Sequence, residues 1–562
     1  MKKLPLIAAF AAAAGMASAQ NPRASVQVDT STTGAAAPAV VCDGDFSAIL
    51  YKDTTDNSIW VTTSNGRGLT WNAPERIDDD LTGANKYVYY YGMVATSGNL
   101  YACWRDERNG AADDLYFSSN NGLGWTANIM LDKGYPSGGN DVRNFAIDAE
   151  GNNIAILISP DNGDEDLYLV TSTDGGATFS AATAVSSHNG LCDVDTIDVE
   201  MENGVAHIVW IDNFSGLDAG YYSAYDFAGA AFTSMDVSIT ANASAAGGDI
   251  DDPILVSASG STVGVVFQNR IVSGANETYA NVMLSGVWNG DQLVGGYTAS
   301  VDDCDNNEIL VNGNHVIIAW EDNRTGGDEA YVATADVSAG AVVFGADTQV
   351  STAGAGYPRI SGGGDYVAVC TSTGAFPNSA AAAVSADGGM TWGAAFDFSD
   401  NTGFDVDFVE MAFNSVYGNF IGAWLSDDLG ANHCYAGGFR SQTVTPVGVF
   451  SPGNLVNFDA SGFGASEDGD LFGVLVSGSL GSFLLPYGDG REAGLTQDNF
   501  MSWSIGQIPG LMSSSLTAGG GSTPSVSLPN LAPGTVIYYT GIGFDASANL
   551  QSLTDIGSVT VL

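Results

Sequence analysis

Five short acidic phrases recur along this chain. They are Asn140-Asp141-Val142-Arg143, Cys192-Asp193-Val194-Asp195, Asp249-Ile250-Asp251-Asp252, Asp302-Asp303-Cys304-Asp305 and Phe404-Asp405-Val406-Asp407. Asp195, Asp252 and Asp305 each stand 15 residues before an aromatic that ends an apolar run, at Trp210, Phe267 and Trp320. Asp141 and Asp407 hold the same place, 18 and 17 residues ahead of Ser159 and Trp424. Carboxylates gathered in one place repel unless a cation, a proton or an arginine compensates them. If the chain brings these phrases together, Asp195, Asp252 and Asp305 offer hard oxygen ligands for Ca²⁺, although no EF-hand loop is present. Recognition of a polar or cationic ligand is the second chemistry, with Arg143, Tyr89, Tyr357 and Arg359 beside the carboxylates. Two acids about 5–10 Å apart would also suit glycoside hydrolysis. The plain alternative is that each aspartate caps its own turn or faces solvent. No G-x-S-x-G elbow, P-loop or H-E-x-x-H appears, and His188, His207, His315 and His433 have no ligand spacing.

Convergence requires elements that repeat. The phrase W-x-D-x-R-x-G reads Trp104-Arg-Asp106-Glu-Arg108-Asn-Gly110 and again Trp320-Glu-Asp322-Asn-Arg324-Thr-Gly326. Weaker copies give eight anchors, at 51, 104, 159, 210, 267, 320, 370 and 424. A second phrase, S-x-D-x-G-x-T-(W/F), is clean at Ser172-Thr-Asp174-Gly-Gly176-Ala-Thr178-Phe179 and at Ser385-Ala-Asp387-Gly-Gly389-Met-Thr391-Trp392. Degraded copies end at Trp71 and Trp125, so three final aromatics at 71, 125 and 179 lie 54 apart. Short alternating apolar runs broken by Gly, Asn and Asp read as strands and turns. In the sixth unit they predict strands at 308–312, 315–320, 329–334 and 342–350. Four antiparallel strands every 40 to 55 residues is the pattern of a β-propeller. The expected fold class is therefore all-β, with eight blades over residues 24–446, seven being the alternative. Ala24–Asp29 is expected to zip the ring shut against the last blade. After residue 450 both phrases stop, and Gly/Ser-rich strands run to 562 as a small β-sandwich.

The S-x-D-x-G-x-T-(W/F) phrase resembles the Asp box, or BNR repeat, of the sialidase-like propellers. That resemblance implies a structural turn joining third and fourth strands, away from the working face. Ser172, Asp174, Gly176, Thr178 and Phe179, with Ser385, Asp387, Gly389, Thr391 and Trp392, are then scaffold. Sialidase chemistry would also need three arginines on the substrate carboxylate and an F/Y-R-I-P phrase near the start. Here Tyr357-Pro-Arg359-Ile360 carries those letters in another order and in the seventh unit. No catalytic residue is carried over. Leu531-Ala-Pro533-Gly-Thr535-Val-Ile-Tyr538 resembles the tyrosine-corner turn of fibronectin type III domains, with its tyrosine one residue late. Strand order locates the working face. Successive connections alternate ends, so the W-x-D-x-R loops share one face with the five acidic phrases, opposite the boxes.

Composition bounds the partners. Lys2 and Lys3, the apolar run to Met16 and Ala17-Ser18-Ala19 spell a secretory signal over residues 1–19. Net charge is -48, or -50 without those two lysines, which disfavours nucleic acid and anionic lipid. No later stretch is apolar enough to span a membrane. A secreted protein, monomeric and binding an extracellular glycan or protein ligand, is the expectation, with a sialidase-like glycoside hydrolase or other carbohydrate-active enzyme, a lyase included, as the alternative. The six cysteines form no C-x-x-C pair. Bridges or buried free thiols both fit.

Overall fold

A computed structural model describes the chain from residue 25 onward. Short loop stretches are excepted, chiefly 80–87, 109–112, 132–140, 162–165, 189–193, 246–248, 271–275, 296–303, 374–377, 400–404, 481–494 and 506–512. The expected signal segment at 1–19, Tyr87 and Cys192 lie outside the described residues.

Strands here are set by burial on both faces. His315–Asp322 reads HVIIAWED, a near-continuous apolar run rather than an alternating one, because neighbouring sheets cover both its sides. Among the described residues there are eight four-stranded antiparallel sheets of this kind up to Arg440, one with an extra short strand. Their first strands are Ala35–Asp43, Val88–Thr96, Val142–Glu150, Val194–Glu202, Asp249–Ser259, Cys304–Asn312, Gly356–Gly363 and Val406–Asn414. We number the sheets as units 1 to 8 in this order. Each first strand packs on the next, and that of unit 8 returns to that of unit 1. Every seam holds its own apolar cluster, from Leu50, Trp104 and Tyr116 between units 1 and 2 to Tyr51, Leu425 and Cys434 between units 8 and 1. The chain is a β-propeller.

The repeat phrases lie where the pattern put them. Trp104, Trp210, Trp320 and Trp424 are fully buried wedges at the seams. Truncating such a side chain costs about 3–5 kcal/mol. Two of the eight anchors shift by one residue. Trp320 lies five residues after His315, which opens its strand opposite Asn312. The same count from Asn153 and Tyr366 gives Ile158 and Thr371, not Ser159 and Cys370. The first strand of unit 6 also begins earlier than predicted, at Cys304, because a bulge between Asp305 and Glu308 hides the alternation. Its fourth strand shrinks to Thr348–Gln349.

The loops close on themselves. Asp322 accepts bonds from Arg324 N and Nε at 2.8 Å, and Arg324 lies 4.1 Å over the Tyr331 ring stacked on Trp320. Asp106, Arg108, Tyr116 and Trp104 repeat that stack in unit 2. Inside the boxes, Asp174 takes Thr178 N at 2.9 Å and Thr178 Oγ1 at 2.6 Å, while Ser172 Oγ takes Gly176 N. Those donors pull the Asp174 carboxyl down to about 2. Asp387 and Ser385 make the same bonds. Cys42, Cys103, Cys370 and Cys434 are free thiols. Burial raises all four, Cys42 to about 12.

Beyond the ring, two antiparallel sheets share a core of Phe450, Phe458, Phe472, Val474 and Tyr539. Their first strand, Thr443–Val447, pairs with Leu455–Ser461 and so precedes the boundary expected at 450. This C-terminal body docks on the first hairpin of unit 7. Asp365 accepts Ser466 N and Oγ at 2.7 and 2.6 Å, and Tyr366 Oη accepts Gly464 N at 2.8 Å. That hairpin is on the box face, opposite the face expected to carry the site.

Closure rests on the N-terminal strand, as expected. Val26–Gln27 pairs antiparallel with His433–Arg440. Buried Asp29 then accepts Cys434 N at 2.9 Å, Gln27 Nε2 at 2.7 Å and contacts His433 Nδ1 at 3.0 Å. Asp29→Ala leaves a buried amide unpaired and should cost about 1–3 kcal/mol. Urea denaturation followed by tryptophan fluorescence checks this, and an unchanged midpoint would show that the strand does not hold the ring.

Candidate functional site at the channel mouth

Every first strand bends at its outer end. Register shifts interrupt all eight ladders just inside the mouth, for example between Asp305 and Glu308, Gly356 and Arg359, and Asp407 and Glu410. Four of these bulges hold a non-glycine residue at positive φ: Ala37, Asn306, Tyr357 and Phe408. Such a backbone costs about 1–3 kcal/mol for a bulky residue, and that strain clusters at binding sites. Its result is visible at Tyr357 and Phe408, whose rings stand 63% and 62% exposed on the rim.

Inside the bulges, register fixes one ring of side chains. Counting four residues back from each first hairpin gives Ala39, Gly92, Ala146, Asp198, Leu255, Glu308, Arg359 and Glu410. Units 1 to 3 contribute small residues, and units 4 to 8 contribute almost all the charge. Arg359 bridges its neighbours, with Nη1 3.0 Å from Glu308 and Nε 2.9 Å from Glu410. A cavity of about 540 Å³ opens beside it between units 5 and 7. Asp305, Asn306, Asn307, Glu308, Glu321, Tyr357 and Arg359 line it, with Gln268, Pro253 and Leu255 completing the wall. Gln268 Nε2 and Asn276 Nδ2 hold Asp305 at 2.8 and 3.1 Å. Glu321 accepts Asn306 Nδ2 at 3.0 Å and Tyr357 N at 2.8 Å, so the strained bulge is tied to the pocket's own acid.

Electrostatics follow from this crowding. Burial is the main force that raises Glu308 to about 7; Arg359 opposes it and Glu410 and Asp198 reinforce it. Asp198 and Asp148 are likewise pushed to about 7 by burial, against the backbone donors of Val256 and Met201. Glu200 rises well above the carboxylate range through burial and then its neighbours Asp148, Asp198 and Glu202. Burial also raises Glu321. The channel wall thus holds protons near neutral pH.

The expected site residues separate into groups. Asp305, Tyr357 and Arg359 meet in the cavity. Arg143 and Asp195 pair with each other at 3.2 Å, further round the rim. Asp141 reaches back to the loop between the second and third strands of unit 2, taking Asp113 N at 3.2 Å. Asp407 is raised by burial and by Asp405 and Asp427. The side chains of Asp252 and Tyr89 lie outside the described residues. Among the described residues no group of three or more His, Cys, Asp or Glu is disposed to hold a metal ion. Of the trio expected to bind Ca²⁺, Asp195 faces Arg143 and Asp305 faces two amides. Sequence reasoning missed Glu308, Glu321, Glu410, Asn306 and Asn307. A signal was there: Glu308, Arg359 and Glu410 are 51 residues apart, charges alternating at the repeat period. Glu321 was equally legible, since it alternates with Asp322 and must point the other way.

No protein-family model matches the chain. No curated protein matches it. Among solved structures, a PL25 ulvan lyase shares 10% identity at TM-score 0.42, over 62% of this chain and 93% of its own. The polysaccharide lyase Uly1 shares 11% at TM-score 0.39, over 65% and 92%. A bat subtype N10 neuraminidase-like protein shares 6% at TM-score 0.29, over 53% and 94%. What those proteins act on is theirs, and the fold described above rests on this chain's own sheets. Among the described residues no helix is long and apolar enough to cross a membrane.

The protonated wall has a consequence for stability. A carboxyl held at about 7 in the fold, against about 4 unfolded, binds its proton more tightly when folded. Its contribution is complete below about pH 4 and drains away as pH rises through about 7. Thermal melts in low salt should therefore show a higher Tm at pH 5 than at pH 8, with Asp198→Asn narrowing the gap. A Tm that rises from pH 5 to pH 8 would contradict this account.

Proposed function

We propose that this chain is a secreted, monomeric, eight-bladed Asp-box propeller with a C-terminal β-sandwich, and that it binds an extracellular glycan at the channel mouth. One observation carries the reading: the cavity of about 540 Å³ on the predicted working face, lined by carboxylates, amides, one arginine and an exposed tyrosine. Its size suits a small-molecule or oligosaccharide site. Carboxylates accept bonds from hydroxyls, amides both give and accept, and Tyr357 supplies a flat apolar face. A protein ligand would also meet these groups, but the concave shape favours a narrower guest.

Glycoside hydrolysis is the second reading, and Glu308 is what favours it. A carboxyl raised to about 7 keeps its proton near neutrality, the state a general acid needs. Glu321, also raised by burial, lines the same cavity. A three-arginine clamp of the sialidase kind finds only Arg359 among the described lining residues.

Glycan-array binding followed by calorimetry tests the proposal. Tyr357→Ala and Glu321→Gln should each weaken the best glycan by about tenfold, or about 1.4 kcal/mol. Binding unaffected by both would remove the mouth as the site. Turnover of fluorogenic glycosides, sialosides included, that Glu308→Gln abolishes would favour the enzyme. Ca²⁺ on Asp195, Asp252 and Asp305 is a separate occupant within this proposal. It predicts a rise in Tm in millimolar Ca²⁺ that Asp305→Asn removes, and no rise would exclude it.

A further inference from the structure

The box face carries a second cavity, and the repeat itself explains why it exists. Three of the four box glycines lean on the unit before them. A side chain at Gly176 would collide with the Phe117 ring, one at Gly68 with Ile421, and one at Gly389 would come within 2.6 Å of Ile317. Ile317 and Ile421 each stand two residues after the residue that opens their second strand, His315 or Asn419. In unit 1 the same place, two after Phe46, is Ala48. The box glycine that should lean on it, Gly122, has nothing within 4 Å. Of these four box glycines, Gly122 alone meets no side chain of the unit before it.

A cavity of about 440 Å³ opens beside Gly122 between units 1 and 2. Its apolar surface comes from Phe46 and the half-buried Trp125, both packed on the seam cluster below. Its polar surface includes three amides, Asn65, Asn72 and Asn120. Asn120 occupies the position of the box aspartate. Its Oδ1 accepts Gly122 N at 2.8 Å and Gly124 N at 3.2 Å, which fixes the plane of the amide. The amide brings N–H donors that the carboxylates of Asp174 and Asp387 lack. Asn72 Nδ2 is steadied by Thr63 Oγ1 at 2.9 Å.

We infer that this seam is a second binding site, for a neutral oligosaccharide. An indole face over apolar wall meets the C–H face of a pyranose, while fixed amides give and accept bonds with its hydroxyls. Glu75 is the one charged group among the described lining residues, so an anionic sugar finds no counter-charge there. The site is on the face opposite the channel mouth and does not depend on the reading given to that mouth.

Calorimetry on the full chain with cellotriose, laminaritriose and maltotriose tests it, with trigalacturonate as the anionic control. At least one neutral trisaccharide should bind wild type and Tyr357→Ala alike. Trp125→Ala should weaken that binding by about tenfold, and Asn65→Ala, at an exposed position, by about threefold. Trigalacturonate should not respond to either substitution. Asn65→Ala keeps the test sound if Trp125→Ala does not fold. The inference falls if no neutral trisaccharide binds, if neither substitution weakens binding, or if Tyr357→Ala abolishes it.

Discussion

The fold depends on how each sheet grips the next at its innermost hairpin. Gly98 N reaches Asp43, Gly151 N reaches Thr96, Gly204 N reaches Glu150, Gly260 N reaches Glu202 and Gly364 N reaches Asn312, all within 2.5 to 3.0 Å. In each case a polar side chain from one unit satisfies the turn amide of the unit after it. A second tier repeats the grip one turn deeper, with Asp148 on Met201 N, Asp198 on Val256 N, Ser257 on Val311 N and Ser361 on Phe413 N. Apolar seams supply most of the attraction, but they are nearly featureless along the strand. The directed bonds choose the register, and a buried amide without its partner costs about 1–3 kcal/mol.

That choice has an electrostatic price. The strongest grips use Asp and Glu, so ring closure gathers carboxylates along one channel. Water cannot solvate them fully there, and their amide partners offset only part of the loss. Asp148, Asp198 and Glu308 respond by holding protons, and Arg359 is set between two glutamates. A chain of net charge -48 can fold around such a wall because the wall itself need not be fully ionised near neutrality.

Most of the scaffold was legible in the residues. Two phrases keeping one period predicted the repeating four-stranded sheet unit, and residues 24–29 read as an outer strand that pairs with the last unit. The Trp-Asp-Arg stacks and the Ser-Asp-Thr boxes behave as their spacing implied. What stayed hidden was local. The bulges at Asp305–Glu308 and its equivalents hide where first strands begin, and counting by an average period put Ser159 and Cys370 where Ile158 and Thr371 stand. Pairing choices were equally invisible. Nothing in the spacing says that Arg143 takes Asp195, or that Gln268 and Asn276 take Asp305, yet these bonds separate carboxylates that the repeat alone would treat as one cluster.

Both cavities then follow from one cause, the failure of the repeat to be a perfect repeat. An ideal ring of identical units has a channel whose walls cancel and seams that are all plugged. Here the ring of side chains inside the mouth runs from Ala39, Gly92 and Ala146 on one side to Glu308, Arg359 and Glu410 on the other. Small residues leave room and charged ones give it a directed wall, so space and recognition groups arise on the same layer. At the box face the same logic operates in a single step. Gly122 meets no side chain of the unit before it, and Asn120 in place of the box aspartate lines the cavity there with an amide. Propeller closure fixes where the units meet, and departures from the consensus decide which meetings are left able to hold a guest.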